Sequence, residues 1–443
     1  MKKSFIGLPI LTFTFFIFSS CSLQHQISKS AVQLVLKDSS LTTAHVGISV
    51  YEPATNKYWY SYQDEHYFVP ASNTKIPTCY AAMKYLEDSL VGVLKGENDT
   101  ALVIFPSADP TFLHPDFKQQ LVLDFLRNAR KKIYATDAQW KEEALGSGWS
   151  WNDYNESYMA ERSPMPIYGN LIKWVQEKEN KEPAVIYSVP EINWEVNFDT
   201  TIGKRFSVVR NISDNIYNIT ESNEKQRELD VPFSTHGMKA TLELLSDSLH
   251  KTIALLQPAQ LQKALTLHIG AIHSQPTDSL LRPMMHRSDN FFAEQSLLMV
   301  SNELLGVMND EKIIDTLLKS DFKGLPQKPR WVDGSGLSRY NLFSPKDFVF
   351  IFDKMMNDFG MNRIKNILPT GNEGTLNNYY KSEAGYIFAK TGTLSGVVSL
   401  SGFLYTKKNK LLIFSVLVNN HNSSATAVRR AVEKFIENVY RSY

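Results

Sequence analysis

An α/β sandwich split by a long insertion is the architecture this sequence encodes. Alternating apolar and polar residues run through HVGISVYEPATNKYWYSY (45–62) and VVSLSGFLYTKKNKLLIFSVLVNN (397–420), near opposite ends of the chain. Each reads as two strands joined by a polar turn. Helical patterns adjoin both stretches and would cover their apolar faces, while residues 92–264 mix short strand-like and helical runs. The 443 residues are enough for about three domains. A hydrophobic content of 43% supports a sizeable core. The net charge of +1 supplies no basic field, so nucleic acid is not an expected partner.

The N-terminal stretch MKKSFIGLPILTFTFFIFSSC has Lys2 and Lys3, an apolar run from Phe5 to Phe18, and small residues before Cys21. That order is an export signal, expected over residues 1–20. The run is shorter than the ~20 residues a spanning helix needs. FSSC resembles a bacterial lipobox, which makes Cys21 a lipidation site; ordinary cleavage nearby, releasing the protein, is the other reading. The first part of the sandwich is expected over 21–91, the insertion over 92–264 and the second part over 265–443. The remaining cysteine, Cys79, falls on the face of Ser72 in a helix beginning near that serine. It reads as a small buried apolar side chain.

PASNTKIPTCYAAMKYL (70–86) is the first stretch with chemical character. Ser72 follows a strand and opens a helix, which returns Lys75 at i+3 to the same face. Pro77 should loosen the start of that helix or make it 3₁₀. S-x-x-K arises by chance about two or three times in a chain this long. Ser320–Lys323 repeats it, and Ser213–Asn215 repeats the S-D-N of Ser288–Asn290. Alone, Ser72 and Lys75 are as readily a helix cap and a surface lysine. Context favours Ser288-Asp289-Asn290, which precedes a helical run, and Lys390-Thr391-Gly392-Thr393, which opens a strand. In the insertion, Asp109 of ADPTF reads as a turn cap. The sequence HIGAIH (268–273) reads as strand and loop rather than a metal site. At the C-terminus, Val428, Ala431, Val432, Phe435, Ile436 and Val439 recur at helical spacing behind Ser423 and Ser424.

S-x-x-K, S-D-N and K-T-G in that order resemble the penicillin-recognising serine enzymes. The match narrows to the class C, type-4 penicillin-binding proteins, a D-alanyl-D-alanine carboxypeptidase/endopeptidase family. Further stretches carry it: DGSGLSRYNLFSPKD (333–347), LPTGNEGTL (368–376), ADPTF (108–112) and GWSWNDYNESY (148–158). Ser72 and Ser288 are 216 residues apart, which suits the domains this family inserts between its first two motifs. The resemblance implies a transpeptidase-like sandwich, an antiparallel sheet flanked by helices, with a large mixed α/β insertion.

It also implies a division of labour. A serine hydroxyl needs an adjacent base, and a lysine serves only where burial and nearby cations favour its neutral form. Lys75 would deprotonate Ser72. Lys390 would bind the substrate carboxylate and hold down the proton affinity of Lys75. Ser288 would relay a proton to the leaving amine, and Asn290 would bond the substrate amide. Backbone N–H groups of Ser72 and Thr393 would form an oxyanion hole, with Thr391 and Thr393 hydroxyls on the carboxylate. Gly392, on the strand face of Lys390, would let the acyl group approach. Asp153 and Tyr158 would hold the amino end of a diaminopimelate side chain, with Arg339 and Ser395 on the opposite wall.

The expected protein is therefore a serine DD-peptidase on the periplasmic side of a bacterial membrane. Peptidoglycan peptides are its substrates and β-lactams its covalent inhibitors. Neither a metal nor an organic cofactor is implied, and a lipid on Cys21 is the sole membrane attachment. A β-lactamase is the alternative enzyme, disfavoured by the long insertion and by the lack of an evident deacylating glutamate. A penicillin-binding sensor or cell-wall scaffold without turnover is the alternative of another class.

Overall fold

The computed structural model describes residues 24–179, 183–256, 260 and 268–442. The expected signal segment 1–20, Cys21 and the 264/265 boundary lie outside the described residues.

A five-stranded antiparallel sheet organises the two ends of the chain, in the order 387–394, 397–405, 411–419, 45–52, 57–62. The first and last thirds of the sequence meet where His45–Glu52 pairs with Leu411–Asn419. Strand alternation feeds two separate cores. From Leu411–Asn419, Ile413 and Leu417 point to one side, and Leu412, Phe414, Val416 and Val418 to the other. Both faces are covered, so the strand is apolar almost throughout.

The C-terminal helix Ala425–Ser442 covers the outer face. Its start is capped by the Ser424 hydroxyl, which accepts from the Ala427 N–H, and all six apolar residues expected at helical spacing are buried. Helix Pro345–Ile367 lies on the inner side, with Phe352 edge-on to Phe403. A capping box starts it: Ser344 Oγ accepts from the Asp347 N–H, and Asp347 accepts from the Ser344 N–H. Pro345 fits at the first helical position because no intrahelical partner exists there for its missing N–H.

Ser72 lies in a 3₁₀ turn, Ala71–Thr74, that runs into the α-helix Lys75–Tyr85. This is the loosened start expected from Pro77. The proline is tolerated because it falls at the third α-helical position, where N–H groups have no intrahelical acceptor. Cys79 is fully buried, and burial pushes its thiol up to about 12, far from nucleophilic.

The segment between the first two motifs has its own core, built on Ile104, Trp174, Tyr217, Phe233 and Leu245. Its largest sheet has the order 253–255, 132–135, 101–106, 89–97, 268–276. Strand Ser89–Glu97 runs across the expected 91/92 boundary and pairs with the edge strand His268–Pro276, which carries HIGAIH. Two three-stranded sheets lie within the same segment. Within this segment the helical run of FKQQLVLDFLRNARKK forms a helix at Leu121–Asn128. Asp109 caps its turn as expected, accepting from the Thr111 N–H at 2.9 Å.

Candidate active site

Small polar residues on the inner face of the main sheet peg the Ser72 turn in place. Ser399 Oγ donates to the Pro70 carbonyl at 2.7 Å, and Asn73 Nδ2 donates to Ser401 Oγ at 2.7 Å. Gly392 is needed for a nearer neighbour than an acyl group. A Cβ there would stand 2.2 Å from Ser399 Oγ and 2.9 Å from the Ser72 nitrogen. The K-T-G strand and the Ser72 turn thus touch through backbone. Gly336 presses from the other side, where a Cβ would meet the Ala71 carbonyl oxygen at 1.9 Å. Held between them, Ala71 has φ +48°, a sparsely populated conformation for a non-glycine residue.

Lys75 is fully buried and its Nζ has three oxygen partners: Ser72 Oγ at 3.1 Å, Asn290 Oδ1 at 2.6 Å and the Ser335 carbonyl at 2.7 Å. The Asn290 amide nitrogen is committed to the Tyr158 carbonyl, so its oxygen faces the lysine. Two of the three partners are therefore acceptors only. A neutral Lys75 spends its two N–H bonds on them, leaving its lone pair toward the Ser72 hydroxyl. Burial lowers the lysine to about 8, against the opposing pull of Asp333, Glu294 and Asp289.

Ser288 occupies the corner between helices Thr277–His286 and Asn290–Leu305, with φ +62°. Asp289 caps the second helix through the Phe292 N–H, which points Asn290 at Lys75. Lys390 Nζ donates to Ser288 Oγ at 2.8 Å and to the Thr391 carbonyl at 2.7 Å. Burial lowers Lys390 well below the ordinary range, and the charge of Lys75 adds to that. The repulsion between the two ammonium groups is mutual, so each disfavours the charged form of the other. At Lys75 burial is the largest cause, and the neighbouring Asp333, Glu294 and Asp289 oppose it.

These groups open into a cleft of about 680 Å³. Ser72, Asn290 and Thr393 line its floor, and Asp153, Tyr158, Arg339 and Ser395 line its walls. Arg339 donates to the Ser395 carbonyl at 3.1 Å. Burial and then the Asp153 carboxylate, hydrogen-bonded to its hydroxyl, push Tyr158 up to about 12. The cleft thus brings together Ser72, Asn290, Thr393 and all four wall candidates. Lys75 stands behind it, bonded to Ser72 and Asn290, and Ser288 and Lys390 form a separate bonded pair. The second S-x-x-K and S-D-N are elsewhere: Ser320 is exposed at a helix end, bonded to the Thr316 carbonyl, and Ser213 lies on an exposed loop.

Two groups that spacing does not reveal tie the insertion to this floor. Asp333, fully buried, accepts from the N–H groups of Gly336 and Ser338, from Asn341 Nδ2, and from Trp149 Nε1 of the insertion. Arg162 is buried among Glu142, Asp310 and Glu294 and lies over the Trp149 ring. Glu294 in turn accepts from the Ser335 N–H, on the residue whose carbonyl holds Lys75. Burial and the nearby Asp333 raise Glu294 to about 8. Asp333 belongs to the DGSG stretch quoted above, the one sequence signal for it. Arg162 and Glu294 carry no local signal.

The family model described as the D-Ala-D-Ala carboxypeptidase 3 (S13) family matches residues 28–439. A D-alanyl-D-alanine carboxypeptidase from Actinomadura sp. is 27% identical, covering 90% of this chain and 82% of that protein. The D-alanyl-D-alanine carboxypeptidase DacB of Haemophilus influenzae is 22% identical over 86% of this chain and 87% of its own. Among solved structures, penicillin-binding protein 4 (dacB) from Haemophilus influenzae superposes with a TM-score of 0.73 at 19% identity, covering 94% of this chain and 98% of that one. A predatory endopeptidase from Bdellovibrio bacteriovorus gives 0.51 at 13% identity, over 88% of this chain and 92% of the other.

Proposed function

The chain belongs to the D-Ala-D-Ala carboxypeptidase 3 (S13) family, and we propose that it hydrolyses D-Ala-D-Ala and D-Ala-diaminopimelate bonds of peptidoglycan through an acyl-enzyme on Ser72. One observation carries this reading. Ser72 Oγ stands 3.1 Å from a lysine whose other two partners are pure acceptors and which burial brings to about 8.

In the proposed reaction Ser72 Oγ bonds to the carbonyl carbon of the penultimate D-Ala, and its proton passes to neutral Lys75. The Ser72 and Thr393 N–H groups receive the oxyanion. Contact between Gly392 and the Ser72 nitrogen supports that pairing. Collapse of the adduct breaks the C–N bond. Ser288, bonded to Lys390, would pass a proton to the departing amine and be reprotonated by the proton that Lys75 took from Ser72, which resets both groups. Water then attacks the ester, returning the proton to Ser72 and releasing the shortened peptide. The carboxylate of the departing residue would rest against Thr391, Thr393 and Lys390, and Asn290 would bond the acyl-side amide. Asp153 would pair with a diaminopimelate ammonium, with Tyr158 beside it and Arg339 and Ser395 opposite.

β-Lactams, which mimic the acyl-D-Ala-D-Ala end, would acylate the same serine. The Haemophilus influenzae relative has been solved with a β-lactam bound. Digestion of purified sacculi, with products read by mass, tests the reading. Loss of D-Ala from stem peptides or conversion of cross-linked dimers to monomers is the expected result. Unchanged muropeptides alongside penicillin labelling would favour the non-turnover sensor, and rapid penicillin hydrolysis the β-lactamase.

For location, the order of charge, apolar run and FSSC supports export and lipidation of Cys21, facing the periplasm. Among the described residues no helix is long and apolar enough to cross a membrane.

A further inference from the structure

Arg429 sits in the opening turns of the C-terminal helix, and its guanidinium donates to the Thr393 hydroxyl at the edge of the cleft. Together with Thr391 and Ser399 it also lines a small neighbouring cavity. A cation near a helix N-terminus is opposed by the aligned peptide dipoles. Its neighbour Arg430 is offset by Glu433, whereas among the described residues no carboxylate forms an ion pair with Arg429. The helix therefore holds an unmatched guanidinium against a hydroxyl three residues from Lys390. The planar N–H fork of arginine matches a carboxylate in a way a lone threonine hydroxyl does not. In the proposed reaction the leaving residue carries a carboxylate beside the scissile bond, whether it is terminal D-Ala or a cross-linked D-centre.

We propose that Arg429 is a specificity-determining residue that reads this carboxylate together with the Thr393 hydroxyl. The assignment rests on the hydrolase reading above. It explains why the C-terminal helix, whose buried face only covers the sheet, projects a cation toward the K-T-G strand. Bonded to Thr393, Arg429 is already oriented before substrate arrives, and the carboxylate completes its set of partners. Substrates lacking the acid lose this contact, so the enzyme would select bonds followed by a free α-carboxylate.

Two acyl-D-alanyl thioesters test this, identical except that the leaving group ends in a carboxylate or in a carboxamide. The readout is the ratio of kcat/KM for acid over amide in wild type, Arg429→Gln and Arg429→Lys. Losing a bond to a charged group at a partly exposed position should lower the ratio about tenfold in Arg429→Gln. Arg429→Lys should recover part of it. A general folding or acylation defect slows both thioesters and cancels in the ratio. An Arg429→Gln ratio equal to wild type overturns the proposal. Wild-type protein that cleaves neither thioester overturns the hydrolase reading instead, which is a different result.

Discussion

Lowering the pH from 9 to 7 should slow acylation of Ser72 about tenfold, because that window straddles Lys75. A free lysine, near 10.5, is neutral in roughly one molecule in 3,000 at pH 7. Brought to about 8, Lys75 is neutral in roughly one in ten. Burial thus supplies a gain of about 300-fold in the competent form at pH 7. The sign follows from the direction of the shift: a lowered lysine is neutral above its pKa and protonates as the pH falls through it, so activity is present above about 8 and lost below. Stopped-flow acylation by a fluorescent penicillin, well below saturation, measures the limb. Lys75→Ala should abolish the limb and slow acylation by about 10²–10⁴-fold. A rate flat between pH 7 and 9, or a limb near 10, would refute the assignment of Lys75 as base.

Asp153→Ala should cut kcat/KM on diaminopimelate muropeptides about 10- to 150-fold, the cost of one charge-assisted hydrogen bond. Penicillin acylation by the same variant should hardly change, and an equal fall in both would make Asp153 structural. Gly336→Ala places a methyl 1.9 Å from the Ala71 carbonyl at a φ of +85°. It should displace the Ser72 turn and eliminate penicillin labelling, and normal labelling would show that the DGSG loop does not fix that turn. Cys21→Ser should release the protein from the membrane fraction with Ser72 still reactive. A wild-type mature N-terminus without lipid mass would count against the anchor.

The sheet, its covering helices and the motif residues were legible because each leaves a local pattern. Alternation marked the strands at 45–62 and 397–420, and the 3.6-residue period marked Val428 to Val439. The S-x-x-K spacing placed Lys75 on the face of Ser72. What escaped depends on groups distant in the chain. The Ser335 carbonyl that helps hold Lys75 lies 260 residues away and is backbone, so no side chain announces it. The buried Arg162 cluster joins positions 142, 162, 294 and 310, each of which reads locally as a surface charge. The packing of Pro70–Ser72 against Gly392 is likewise not visible in one strand. Arg429 stands among helix residues whose apolar spacing says only which face is buried.

The most direct measurement of the central claim is the position of the covalent adduct. Wild-type protein and Ser72→Ala, each treated with a penicillin, digested and mapped by tandem mass spectrometry, should differ by one acylated peptide. The penicilloyl mass is expected on Ser72 in wild type, with none in Ser72→Ala and normal labelling in Ser320→Ala. An adduct on Ser320 or any other residue, or one that survives Ser72→Ala, would contradict it.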